Sequence, residues 1–189
     1  MPGTWYTSDL HLHHKLMCST RGFDSVGGHD HAVISRWNKT VAPDDTVWVL
    51  GDVGMGNSGS FLYAMLELNG TKHLISGNHD EVWPGHRDSH KHQDRWLQVF
   101  ASIQPFARRR IGGHDVLLSH FPYSGDHADE DRFGQYRLRD EGRWLIHGHT
   151  HGTERLHGRQ IHVGLDAWDL TPVNEGTITQ MILNEAKAA

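Results

Sequence analysis

Apolar positions along this chain fall in short runs rich in β-branched and aromatic residues, bounded by turn formers, and such runs read as strands. They are Thr4–Ser8, Thr46–Leu50, Lys72–Ser76, Val116–Ser119, Trp144–His147, Gln160–Val163 and Thr177–Leu183. Helical spacing is present over His31–Thr40 and Phe61–Leu68, and more weakly over Asp94–Phe100. The first helix runs into Val41-Ala42-Pro43-Asp44-Asp45, a turn leading to the second strand, and the second stops at Asn69-Gly70. Strands alternating with helices predict an α/β fold, with antiparallel pairing towards the C-terminus where no helix separates the strands.

Five of these strands end directly in polar clusters. Tyr6-Thr7-Ser8 runs into Asp9-Leu10-His11, Val49-Leu50 into Gly51-Asp52, and Ile75-Ser76 into Gly77-Asn78-His79-Asp80. Leu118-Ser119 runs into His120, and Ile146-His147 into Gly148-His149-Thr150-His151. Ligands of open α/β sheets bind beyond the carboxyl ends of strands, so these loops are expected to converge on one crevice.

Composition narrows the class. The 189 residues suit a single domain over 1–189, with 37% hydrophobic and 22% charged residues. No run approaches the roughly 18 apolar residues of a membrane span. The start of the chain lacks a basic stretch followed by an apolar one, and Cys18 stands alone, so the expectation is a reducing cytoplasm. A net charge of -5 argues against a protein that coats nucleic acid or holds it in a stable complex. Of 18 histidines, His29, His31, His86, His90, His92, His114, His127 and His157 lie in polar stretches and read as solvated.

Asp9, His11, Asp52, Asn78, His120, His149 and His151 combine carboxylate, amide and imidazole without thiolate. That donor set suits Mn first, with Fe, Ni or Zn as alternatives. Seven donors exceed one tetrahedral ion but fit two divalent ions sharing a carboxylate, able to bind a phosphoryl group and generate a hydroxide between them. Asp52, in the middle of the set, is the natural bridge. Singly, each residue has a plainer reading: Asn78 as a turn residue, His149 and His151 as strand-end residues facing water. Together and in order, they argue for a site.

Asp9-x-His11, Gly51-Asp52, Gly77-Asn78-His79-Asp80, His120 and Gly148-His149-x-His151 resemble the five signature blocks of the calcineurin-like metallophosphoesterase superfamily. His14-Lys15, Arg21-Gly22-Phe23, Trp37-Asn38 and the stretch from Gly164 to Val173 resemble its small bacterial and bacteriophage branch. The resemblance implies a four-layer αββα sandwich of two mixed sheets flanked by helices. It implies Asp9, His11, Asp52 and His151 around the first metal, and Asp52, Asn78, His120 and His149 around the second. It also makes His79 a catalytic group at the phosphoryl or leaving group, with Asp80 orienting it, and Asn78 and His79 substrate contacts. His13 and Gly22 depart from the branch, which usually has Gly and Pro there. Gly22 loosens a loop that could carry Arg21 to phosphate, and His14 is a further candidate for substrate contact or for supporting a ligand. His147 reads as packed, Asp166 as a partner for a ligand histidine, and Trp83 as a surface for stacking a ring.

The expected function is therefore hydrolysis of a small phosphodiester, such as a cyclic nucleotide. The stretches Glu81–Asp94 and Tyr123–Gly142 are the candidate covers of the crevice, the second the more acidic. In the second, Asp126, Asp129, Glu130 and Asp131, set among Arg132, Arg137 and Arg139, would disfavour a dianionic monoester. A phosphomonoesterase or nuclease on the same site, or a non-catalytic metal-binding regulator, are the alternatives. The sequence leaves the oligomeric state open.

Overall fold

The computed structural model describes residues 2–126, 128 and 130–188, so His127 and Asp129 lie outside the described residues. Ten strands and five α-helices are found among them. The first half runs β1 (Thr4–Thr7), α1 (Lys15–Thr20), α2 (Val26–Thr40), β2 (Thr46–Val49), α3 (Ser58–Met65), β3 (Thr71–Ile75), α4 (Gln93–Trp96) and β4 (Ser102–Gln104). The second runs β5 (Phe106–Ile111), β6 (His114–Ser119), β7 (Trp144–His147), β8 (Leu156–His157), β9 (Gln160–His162), β10 (Val173–Asn174) and α5 (Glu175–Ala188).

The strands form two mixed five-stranded sheets, ordered β10-β1-β2-β3-β4 and β5-β6-β7-β9-β8, flanked by helices as expected. β1 to β4 are parallel, and β10 closes the first sheet antiparallel to β1. Alternation along β2 sends Val47 and Val49 to one core, shared with Val33 and Trp37 of α2 and Phe61, Leu62 and Met65 of α3. Trp48 and the following Leu50 go to the other, shared with Val116 and Leu118 of β6, Ile146 of β7, and Ile178 and Ile182 of α5. The sheet is thereby buried on both faces, which explains why these strands read as near-continuous apolar runs.

Three expectations need correction. Thr177–Leu183 belongs to α5: Ile178 and Ile182, four residues apart, meet the core from one helical face, and tertiary burial overrides the β-branched composition. The helix expected at His31 begins at Val26, because Ser25 accepts a hydrogen bond from Gly28 N and caps it. The late strands are not simply antiparallel, since β6, β7 and β9 run parallel and only β5–β6 and β8–β9 reverse.

Candidate metal centre

The loops after β1, β2, β3, β6 and β7 meet beyond the carboxyl ends of their strands. The first two are laced by backbone bonds, Asp9 N to Gly51 O, His11 N to Asp52 O and Leu12 N to Val53 O, each 3.0 Å. Close approach demands glycine at the joints. A side chain at Gly77 would collide with Asp52 Oδ1 at 2.4 Å, and one at Gly148 with Asp9 Oδ2 at 2.5 Å. Asp9, His11, Asp52, His149 and His151 all hold positive φ, between 50° and 71°. That conformation is unfavourable for residues with a Cβ, and such strain concentrates at functional sites.

The two carboxylates share one design. Asp9 Oδ2 accepts the His149 N–H at 3.0 Å, while Oδ1 is buried with no hydrogen-bond partner among the described residues. Asp52 Oδ1 accepts the His79 N–H at 2.9 Å, while Oδ2 faces His11 Nε2 at 3.9 Å and His120 Nε2 at 3.5 Å. Each carboxylate is thus anchored by one oxygen and presents the other to imidazoles. A buried carboxylate oxygen left without a donor calls for a cation. Two triads come within ligand distance, Asp9–His11–His151 and Asp9–Asp52–His120. Asn78 Oδ1 lies 3.1 Å from His120 Nε2, and the His149 ring centroid 5.1 Å from that of His120. The donors therefore fit a pair of divalent ions. Asp9 belongs to both triads, yet Asp52 Oδ2, lying between His11 and His120, is the better placed to be shared.

The histidines are held in definite orientations. His120 Nδ1 donates to Leu50 O at 2.7 Å and His151 Nδ1 to Asp166 Oδ2 at 3.0 Å, so each turns Nε2 to the site as an acceptor. His11 Nε2 and His151 Nε2 approach to 3.3 Å, an arrangement suited to sharing one ion. Burial pulls His11 down to about 3 and His149 to about 4, leaving neutral imidazoles with a lone pair to offer. Burial raises Asp9 and Asp52, but the surrounding histidines outweigh it and hold both below the usual carboxylate range.

Arg21 does not reach towards a substrate. Its guanidinium forms a bidentate pair with Asp166, both bonds 2.9 Å, and donates to Asp9 O at 2.7 Å and Leu10 O at 3.0 Å. It braces the strained Asp9–Leu10 segment from behind. Gly22 does not loosen this loop either. With φ 75° it ends α1, Gly22 N bonding Ser19 O and Phe23 N bonding Cys18 O, a helix stop that proline could not form. His29, expected in solvent, is fully buried between Arg21 at 3.0 Å and Asp30 at 2.8 Å. His13 takes Asp30 as its partner, its Nε2 3.5 Å away.

Asp80 likewise departs from its expected part. Its carboxylate accepts backbone N–H groups of Gly77 at 2.8 Å, Asp52 at 3.1 Å and Val53 at 3.0 Å. It staples the β2 and β3 loops together rather than orienting the imidazole of its neighbour, because those N–H groups lie at the loop joint and occupy both oxygens. His79 itself stands at the rim, about a third exposed, with Nε2 3.9 Å from Asp52 Oδ2.

Over the site, the stretch between β6 and β7 sends Asp126 Oδ2 to 3.2 Å from His149 Nε2. Arg132 holds the same carboxylate at 3.0 and 3.2 Å, and Arg137 pairs with Asp131. Asp126 and Asp131 are thus compensated by arginines, which weakens the charge argument against a dianionic substrate. A cleft of about 740 Å³ opens beside the centre, lined by His11, His14, Asn78, His79 and His151 on its polar side. His14 stands near the ligands, its ring centroid 5.0 Å from that of His11. Trp83, read as a stacking surface, is mostly buried against Phe121, Phe133 and Tyr136, and borders the cleft.

A two-sheet sandwich carrying paired aspartate, histidine and asparagine donors at its strand ends defines a metal-dependent hydrolase. The chain belongs to the calcineurin-like phosphoesterase superfamily, whose domain model matches residues 6–186, and this superfamily is dinuclear-metal dependent. It is 47% identical to the Gene 66 protein of Mycobacterium phage L5 over 183 residues, 89% of this chain and 88% of that one. Identity to the Gene 66 protein of Mycobacterium phage D29 is 44% over 188 residues, covering 93% and 94%. A protein of unknown function from Aquifex aeolicus shares the fold, with a TM-score of 0.71 at 22% identity over 96% of this chain and all of that one. No helix of the described residues is long and apolar enough to cross a membrane.

Proposed function

We propose that this protein is a phosphodiesterase for small monoanionic diesters, with Mn²⁺ as its preferred metal. The observation that carries the reading is the design of Asp9 and Asp52, each anchored through one oxygen and offering the other to converging imidazoles. Asp9, His11, Asp52 and His151 would hold one ion, and Asp52, Asn78, His120 and His149 the other. When bound, such ions neutralise phosphoryl charge and make water acidic enough to attack at neutral pH. Asp80 keeps Asp52 and Asn78 in register through the backbone. His79, at the rim beside Asp52, is placed to give a proton to the departing oxygen, as a general acid near neutral pH should. The net charge of -5 supports a small substrate over a nucleic-acid polymer.

A phosphomonoesterase is the second reading, favoured by Arg132 at the cleft wall and by the pairing of the covering acids. Comparing kcat/KM for cyclic nucleotides, an aryl diester, an aryl monoester and single-stranded DNA decides between them. Chelated protein should be inactive and regain activity with Mn²⁺ at least as well as with Mg²⁺. A clear preference for DNA or the monoester overturns the diesterase reading.

A further inference from the structure

The cleft beside the metal centre is two-faced. Its floor is the polar set already described, but its walls are largely apolar. Leu16 and Met17 of α1, Met55 of the β2 loop, and Trp83 packed against Phe133 supply this apolar lining, with Thr20, His86 and Arg132 among them. Leu16 is 67% exposed and so leaves accessible apolar surface on the cleft. The wall formed by Trp83 and Phe133 is fixed. Trp83 packs so closely over Gly85 that a Cβ there would strike its ring at 2.1 Å. Phe133 adopts φ 61°, held by edge-on contact with Trp83 at 5.7 Å and with the His149 ring at 5.6 Å. Arg132 lies over the Phe133 ring at 5.4 Å, tied to Asp126. A bulky residue whose backbone is held in a strained conformation, with its ring against the candidate ligand His149 beside the cleft, points to a role in binding.

Volume decides what that role is. A phosphate with two methyl arms would leave most of about 740 Å³ to water against apolar walls, whereas ligand pockets of this size bury molecules far larger. We propose that these walls form a subsite for a planar aromatic ring carried by one ester arm of the substrate, the flat π-face shared by a nucleobase and an aryl group. Methionine thioethers and aromatic edges both favour contact with a ring, and a rigid ring loses less freedom on binding than a chain of equal area. The inference rests on the phosphodiesterase reading but is tested apart from turnover.

The test is calorimetric binding of phosphonates to Mn²⁺-loaded protein. Phenyl methylphosphonate and adenosine 5′-methylphosphonate, each a monoanion carrying its ring on an ester oxygen, are each compared with methyl methylphosphonate, so each pair shares a head group. The ring should tighten binding by about tenfold or more in at least one pair, and the pair that gains separates aryl from nucleobase. Leu16→Ser and Met55→Ser should shrink the gap towards unity. Tyr63→Ser, at a residue 71% exposed on α3, should leave it intact. No gap in either pair, a gap unchanged in both wall variants, or hexyl methylphosphonate binding as tightly as phenyl methylphosphonate would overturn the proposal. Hydrolysis of bis(p-nitrophenyl) phosphate is measured separately: its absence defeats the diesterase reading, while the binding gap judges the subsite.

Discussion

The two histidines of Gly148-His149-Thr150-His151 are each backed by a carboxylate that is itself held by an arginine, yet the two supports are built differently. Asp166 faces His151 at 3.0 Å and comes from the 3₁₀ turn Leu165–Ala167 just after β9. Its partner Arg21 is 5% exposed and also braces the backbone of Asp9 and Leu10. Asp126 faces His149 at 3.2 Å but comes from the long connection between β6 and β7, and its partner Arg132 is 39% exposed. One half of the centre is thus tied into the core, and the other depends on a surface segment that also forms the cleft wall. Opposite ring nitrogens are engaged, Nδ1 of His151 and Nε2 of His149, so each support leaves the other nitrogen for an ion. Metal affinity should therefore be unequal, with the half around His11 and His151 the tighter.

The largest break removes what the halves share. If Asp52 bridges them, Asp52→Asn should lose metal at both positions and reduce activity to background, while Asn78→Ala chiefly weakens the half around His120. Elemental analysis of the purified variants checks this, and one ion retained in full by Asp52→Asn would count against the bridge. Next in size is His79→Gln, which should keep both metals and the fold. It should lose about 10²–10⁴-fold on alkyl or nucleoside diesters and far less on a nitrophenyl diester, whose leaving group needs no proton. Equal losses on both would assign His79 to positioning phosphate instead.

Smaller effects sharpen the contrast between the supports. Outer partners of metal ligands are typically worth about 10–100-fold in affinity. Asp166→Asn should weaken the tighter phase of a Mn²⁺ titration within that range and lower the melting temperature, because Arg21 loses its bidentate partner beneath Asp9. Asp126→Asn should weaken the other phase and leave the melting temperature nearly unchanged. Titration calorimetry with thermal melts reads both, and identical behaviour of the two variants would erase the distinction.

Much of the site was legible because it is local. Each donor sits within a few residues of a strand end, so the alternating apolar runs and their polar terminations locate it without knowledge of the pairing between sheets. Part of what was missed depends on distance along the chain. Arg21 and Asp166 meet across 145 positions, and nothing near Arg21 in sequence reveals that its charge is consumed inside. His29 looked solvated for another reason: its partners Arg21 and Asp30 are near in sequence, but only the packing of α1 and α2 behind the site buries all three together. Asp80 was misassigned because adjacency to His79 suggested contact, while the loop turns its carboxylate the opposite way, onto three backbone N–H groups. In the fold, β5 was hidden by Arg108-Arg109-Arg110, although Gly112-Gly113, with φ of 56° and 84°, is the signature of the tight hairpin that pairs it with β6.

The smallest effect is in pH. Burial alone would raise Asp166, but its bonds to His151 and Arg21 prevail and hold it well below the usual carboxylate range. A carboxylate depressed in the folded state contributes stability above its unfolded pKa of about 3.9, and loses it as pH falls towards the folded value. In chelator-treated protein, wild type should therefore melt a few degrees above Asp166→Asn near pH 7, about 2–4 °C for each kcal/mol in a domain of this size. The gap should widen as His151, which burial would lower but Asp166 raises, takes up its proton below neutral pH, and then close as the pH drops below about 4. Asp126 is also held low by Arg132 and His149, so its variant should follow the same sign. Its gap should be narrower, since the Arg132 partner is screened by solvent. Melts of both variants and wild type across pH 3–7 give the comparison directly. A gap for Asp166→Asn that stays constant from pH 7 to pH 3 would mean that packing, not the ion pair, supports that half of the centre.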